Sequence, residues 1–184
     1  MKRRTFLQAA GLGAAVMAAG VPSAATAEES KMNIVVAADP FALDLKDAIK
    51  EHLEKKGYSV TDVGATKESE APFYDGATAA AKLIQSGKAE RGILFCGTGA
   101  GMCIVANKFK GVNAVVVESV FTARMARAIN DSNVLTLGAM VVAPWMAKEM
   151  VDVWLETKHT EGLPEFAEFL KGACARVNAL DTGM

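Results

Sequence analysis

The chain has few of the side chains that usually carry metal and proton chemistry: its 184 residues include two histidines and three cysteines. With no CxxC spacing among Cys96, Cys103 and Cys174, no zinc-type ligand set is present, and the reading expects no metal and no cofactor. An odd number of cysteines also excludes a complete disulfide framework and leaves at least one thiol unpaired. The formal charge is only -1 at pH 7, without a basic stripe, which argues against a nucleic-acid partner. After the first 27 residues no apolar run is long enough to span a bilayer, so no membrane association is expected once that segment is removed. There is no internal repeat.

What is present begins with Lys2-Arg3-Arg4-Thr5-Phe6-Leu7, an Ala- and Gly-rich apolar run, and Ala25-Thr26-Ala27. A basic start, an apolar middle and a small-residue cleavage site make residues 1–27 a removable export signal. The paired arginines favour the twin-arginine route, and hence a periplasmic location. Residues 28–184 then form one α/β domain, a size at which one core is comfortably buried. Removing Lys2, Arg3 and Arg4 takes the charge from -1 to about -4.

Met32 to Ala38 is a continuous apolar run, as in a strand buried on both faces of a parallel sheet. A helix from Phe41 to Lys56, a strand from Tyr58 to Val63, and a polar loop from Gly64 to Asp75 follow. Further on, helices are expected over 77–85, 101–109, 120–129, 144–158 and 164–180, alternating with strands ending near Cys96, Val117 and Leu137. The last helix is expected to bury Phe166, Phe169, Leu170 and Val177. The alternation predicts a Rossmann-like three-layer sandwich with a parallel five-stranded sheet. In a 2-1-3-4-5 order the ligand crevice falls between strands one and three, with Asp39 and Cys96 on its two lips.

The stretch CGTGAG, Cys96 to Gly101, links the third strand to a helix. Gly97, Gly99 and Gly101 allow main-chain N–H groups to converge where a Cβ would intrude, so the loop suits negative charge. As a dinucleotide fingerprint it fails, since Met102 stands where the third glycine belongs. By itself the pattern also fits a tight turn beside an inert, buried Cys96. Cys103 and Cys174 sit in helical patterns and read as small core residues; a thiol redox role for Cys96 lacks a convincing resolving partner.

The run Cys96–Gly111 resembles the signature of ribose-5-phosphate isomerase B and the galactose-6-phosphate isomerase subunits. The likeness extends to Asn33-Ile34-Val35, Asp39, Pro72, Tyr74, Asn130 to Leu135, Gly138 and Trp154. It implies aldose-ketose isomerisation through an ene-diolate in a homodimer that binds a small sugar. Under that resemblance Cys96 is the base, and the amides of Gly97, Gly99, Ala100 and Gly101 stabilise the oxyanion. Thr98 places a hydroxyl near the reacting oxygen. Asp39 and Tyr74 contact the substrate, and Asn130 reaches it from the partner subunit.

The departures from that family fall together. A histidine after the first-strand aspartate is replaced by Pro40, and two phosphate-binding arginines by Pro164 and Glu168. Phosphate needs charge-assisted contacts, so these changes remove attraction and add repulsion. The ring-opening histidine is replaced by Ile129. His52 reads as solvated, and His159 as a helix-end residue favoured by the dipole. The expectation is an isomerase for an unphosphorylated or open-chain sugar. The alternative is a non-catalytic periplasmic sugar- or metabolite-binding protein built on the same fold.

Overall fold

The computed structural model describes residues 32–180; the expected export segment lies outside them. Five parallel strands, β1 (Asn33–Ala38), β2 (Ser59–Asp62), β3 (Arg91–Cys96), β4 (Ala114–Val116) and β5 (Val134–Gly138), form one sheet. Six α-helices alternate with and follow them: α1 (Leu43–Lys55), α2 (Phe73–Gln85), α3 (Ala100–Ala106), α4 (Val120–Ala128), α5 (Pro144–Glu156) and α6 (Ala167–Ala179). The result is a Rossmann-like α/β fold.

Alternate residues of β1 divide the core. Ile34, Val36 and Ala38 pack with Leu45, Ile49 and Leu53 of α1, Ala123 of α4, and Met150 and Trp154 of α5. Val35 and Ala37 pack on the other face with Ala77 and Ala80 of α2 and Met102 of α3. Both faces being covered, β1 is apolar from Ile34 to Ala38 and β3 from Gly92 to Cys96 rather than alternating. Trp154 is fully buried and its indole N–H donates to Ser132 Oγ at 2.9 Å, so the polar end of the ring is satisfied.

The strand order is β2-β1-β3-β5-β4, not the expected 2-1-3-4-5. All five residues of β5 are buried, whereas the three-residue β4 ends in Val116, which is 38% exposed. The longer, fully buried strand takes the interior position and the short one the edge. The exchange leaves the crevice where it was expected, because β1 still pairs with β3.

Two other expectations change. The loop after β2 ends at Pro72, and Phe73 and Tyr74 open α2 instead of lying in the loop. In α6 only Leu170 is buried; Phe169 and Val177 are exposed, Phe169 by 71%, as is Phe166 in the 3-10 turn before the helix. The helical period was right, but α6 lies outside the sandwich, where its apolar side meets little of its own chain.

Candidate active site

The carboxyl edge of the sheet brings Asp39, Cys96 and Gly138 to adjacent strand ends. Asp39 N–H donates to the carbonyl of Phe95 at 3.1 Å, and Ala139 N–H to that of Cys96 at 2.9 Å, so β1, β3 and β5 are tied beyond their last paired residues. Asp39 caps a short 3-10 turn, Pro40–Ala42, by accepting from Phe41 N–H at 3.0 Å. Burial raises its carboxyl above the usual carboxylate range, and the amides of Phe41 and Ala42 oppose that only in part.

Cys96 is the last residue of β3 and is 5% exposed. Gly99 N–H donates to its Sγ at 3.1 Å, so the sulfur is an acceptor, the role a thiolate fills best. That bond requires the loop to turn back on itself, which Gly99 permits at φ +81°. Ala100 N–H points to Thr98 Oγ1 at 3.4 Å, while the Thr98 side chain is exposed at the rim. Two of the four loop amides expected to face an oxyanion are therefore engaged within the loop. By helix geometry the amide of Gly101 has no partner one turn back. The loop is also pressed against β5: a Cβ on Gly138 would lie 2.7 Å from the Thr98 backbone.

Tyr74 is half exposed and meets Phe73 edge to face, with centroids 5.3 Å apart. The Phe73 ring lies over Gly101, where a Cβ would come within 3.1 Å of it, so the start of α2 brings both aromatics to the glycine loop. Asp39, Tyr74, Cys96, Gly97, Thr98, Gly99, Ala100 and Gly101 thus gather at one edge. Asn130 does not. It follows α4, which runs back toward the amino ends of the strands, and lines a separate cavity with Ile129, Phe169 and Cys174. In a single chain it stands at the opposite edge of the sheet from Cys96.

All three cysteines are unpaired. Burial pushes the thiols of Cys103 and Cys174 up, the nearby Asp131 adding to the effect on Cys174. Neither is the fully buried core residue expected: Cys103 donates to the carbonyl of Ala114 at 3.3 Å, and Cys174 lies 3.6 Å from His159 Nε2. His52 is not solvated either, since its Nε2 is 2.8 Å from Asp152 Oδ1. Among the described residues there is no cluster of three or more His, Cys, Asp or Glu side chains placed to hold a metal, and no helix is long and apolar enough to cross a membrane.

The sequence reading missed Met140 and Phe41. Met140 N–H donates to the carbonyl of Gly97 at 3.0 Å and its side chain covers that glycine. A methionine two residues past the strand-ending Gly138 was the available signal, but locally it reads as one more apolar residue.

Residues 34–167 match the family model described as Ribose/Galactose Isomerase. A 4-deoxy-4-sulfo-D-erythrose isomerase of Clostridium sp. (strain MSTE9) is 46% identical over 152 residues, 82% of this chain and 96% of that protein. A D-erythrulose-4-phosphate isomerase of Pectobacterium atrosepticum is 43% identical over 132 residues, 71% of this chain and 87% of the relative. The solved ribose-5-phosphate isomerase B of Clostridium thermocellum superposes with a TM-score of 0.75 at 33% identity, covering 82% of this chain and 97% of that one. On the residues matched, the parallel sheet and the thiol-glycine loop at its carboxyl edge, this chain belongs to the ribose/galactose isomerase family.

Proposed function

We propose that the chain is an aldose-ketose isomerase acting on an open-chain, short sugar, with Cys96 as the base. The observation that carries this reading is the Gly99 N–H aimed at Cys96 Sγ at 3.1 Å, beside Asp39 at the β1–β3 crevice. The thiolate takes the proton from the carbon next to the carbonyl. The C–H electron pair becomes the C=C bond of an ene-diolate, and negative charge moves to the carbonyl oxygen. The thiol, whose proton exchanges with solvent during the life of the ene-diolate, then protonates the neighbouring carbon, while a proton passes between the two oxygens. In this reading the Gly101 amide and Thr98 hydroxyl stabilise the oxyanion, and Asp39 and Tyr74 hold hydroxyl groups.

Ile129 cannot transfer a proton, so a substrate that needs no ring opening is favoured. Both similar relatives carry four-carbon sugars in their names. A four-carbon aldose substituted at C4 has no hydroxyl left to close a five-membered ring, and a four-carbon 2-ketose cannot form one either. A four-carbon ketose, open-chain whatever stands at C4, therefore agrees with the loss of an imidazole at position 129.

The dimer is part of the proposal. Asn130 is remote from Cys96 within one chain, and α6 presents Phe166, Phe169 and Val177 to solvent. A second copy that covers this face can deliver Asn130 to the site. Export by the twin-arginine signal belongs to the same reading and is tested by fractionating cells that make the full chain.

A second reading, a binding protein that does not turn its ligand over, draws on one observation: the amides of Gly99 and Ala100 are engaged inside the loop. Incubation with D-erythrulose in deuterated buffer separates the two. An isomerase incorporates deuterium at C1 and forms a tetrose; a binder does neither.

A further inference from the structure

Past the strand-end crevice lies a groove of about 540 Å³, lined by Phe41, Asp44 and Leu45 on one side and by residues 139–144 on the other. Two contacts join it to the glycine loop and the buried acid. Phe41 N–H donates to Asp39 Oδ1 at 3.0 Å, and Met140 packs so closely on Gly97 that a Cβ there would be 3.3 Å from its Cε. The groove therefore adjoins the crevice, with Phe41 against Asp39 and Met140 against Gly97.

Its chemistry is unlike that of an anion site. Asp44 is the one charged side chain among the lining residues. Phe41 and Met140 are 75% and 71% exposed at the mouth, with Val141 beside them. The groove lies near the starts of α1 and α5, whose partial positive charge would by itself favour an anion. Asp44, in the first turn of α1, answers that charge with a full negative one. Proline at the first position of α5 removes a further amide donor. A phosphate or sulfonate held here would meet a carboxylate and no cation from this chain.

We propose that this groove holds the end of the substrate remote from the carbonyl and selects an uncharged terminus, hydroxymethyl or methyl, over phosphate or sulfonate. The inference rests on the isomerase reading and adds to it: it sets this chain apart from relatives named for sulfonated and phosphorylated tetroses. It assigns specificity to Phe41, Asp44 and Met140.

The test is calorimetric binding of three four-carbon ketones to the full-chain protein: D-erythrulose, its 4-deoxy analogue and D-erythrulose 4-phosphate. The two neutral ketones are expected to bind at least about tenfold more tightly than the phosphate. Met140→Arg, at an exposed position, should shift the ratio toward the phosphate by at least about tenfold, and Asp44→Asn should narrow the gap. Equal or tighter binding of the phosphate by the native protein overturns the proposal, as does a ratio unmoved by Met140→Arg or an absence of binding by all three. Deuterium incorporation, followed in parallel, reports on the isomerase reading alone: a neutral preference without exchange keeps the groove and rejects the chemistry.

Discussion

The two edges of the sheet are built differently. At the carboxyl edge, β1, β3 and β5 end together and backbone touches backbone: a Cβ on Gly64 would lie 2.2 Å from the Ala38 amide nitrogen, and one on Gly138 lies 2.7 Å from Thr98. At the amino edge, Asn130 is exposed, and α6 stands over a cavity of about 500 Å³ with Phe169 and Val177 facing outward. The first edge is finished within one chain. The second carries exposed polar and apolar side chains, Asn130, Phe169 and Val177, that the described residues leave uncovered. Under the proposed dimer the contrast has a use: the rigid edge of one copy holds the reacting group and the open edge of the other completes the site.

The largest effect should come from the finished edge. Cys96→Ser keeps the side chain's size and the Gly99 contact but replaces the base by a hydroxyl that holds its proton. Deuterium exchange into the sugar should fall by about 10²–10⁴-fold, with the circular dichroism spectrum unchanged. Exchange at the native rate would remove Cys96 from the chemistry. Gly138→Ala attacks the same edge through packing. Its Cβ must displace the Thr98 backbone, so activity should drop by about 10²-fold, alongside a loss of about 1–3 kcal/mol in urea unfolding.

The unfinished edge yields a sharper test. Asn130→Ala alone should lower exchange, and so should Cys96→Ser alone. If each site takes its cysteine from one copy and its asparagine from the other, mixing the two variants restores one working site in each mixed dimer. Random exchange of subunits then recovers about a quarter of native activity. No recovery would place both groups in one chain or make Asn130 structural. Phe169→Asp, on the exposed face of α6, should lower the dimer population in sedimentation, with activity following it.

These two edges were also unequally legible in the sequence. The carboxyl edge is made of local signals: the apolar run of β1 stopping at Asp39-Pro40, and glycines at 97, 99 and 101 where the backbone must fold back. Position in the sheet is not local, so β5 could not be read as lying between β3 and β4; its greater burial decides that only after the chain collapses. The period of α6 is readable from Phe169, Leu170 and Val177, but not what they face, because burial depends on how the helix docks and the described residues leave Phe169 and Val177 exposed. Phe73 and Tyr74 read as loop from the sequence because aromatic residues after Pro72 give no cap signal, and Pro72 itself caps without a side-chain hydrogen bond.

The smallest expected effect concerns the buried acid. Asp39 has its carboxyl raised by desolvation, so the folded chain holds that proton more tightly than the unfolded chain does. As pH rises through the usual carboxylate range and on through the raised value, the unfolded state loses the proton more readily, and folding loses stability. Above that window the charged Asp39 opposes folding. Asp39→Asn keeps an oxygen to accept from Phe41 N–H and removes the buried charge. The variant should therefore melt higher than the native protein at pH 7, and the difference should vanish below the unfolded carboxylate range, where both side chains are neutral. Binding of D-erythrulose should weaken in the same variant if the carboxylate holds a hydroxyl. A carboxylate that destabilises the fold and strengthens the ligand marks the carboxyl edge as arranged for chemistry rather than for stability alone. A variant melting lower at pH 7 would instead make Asp39 a structural cap.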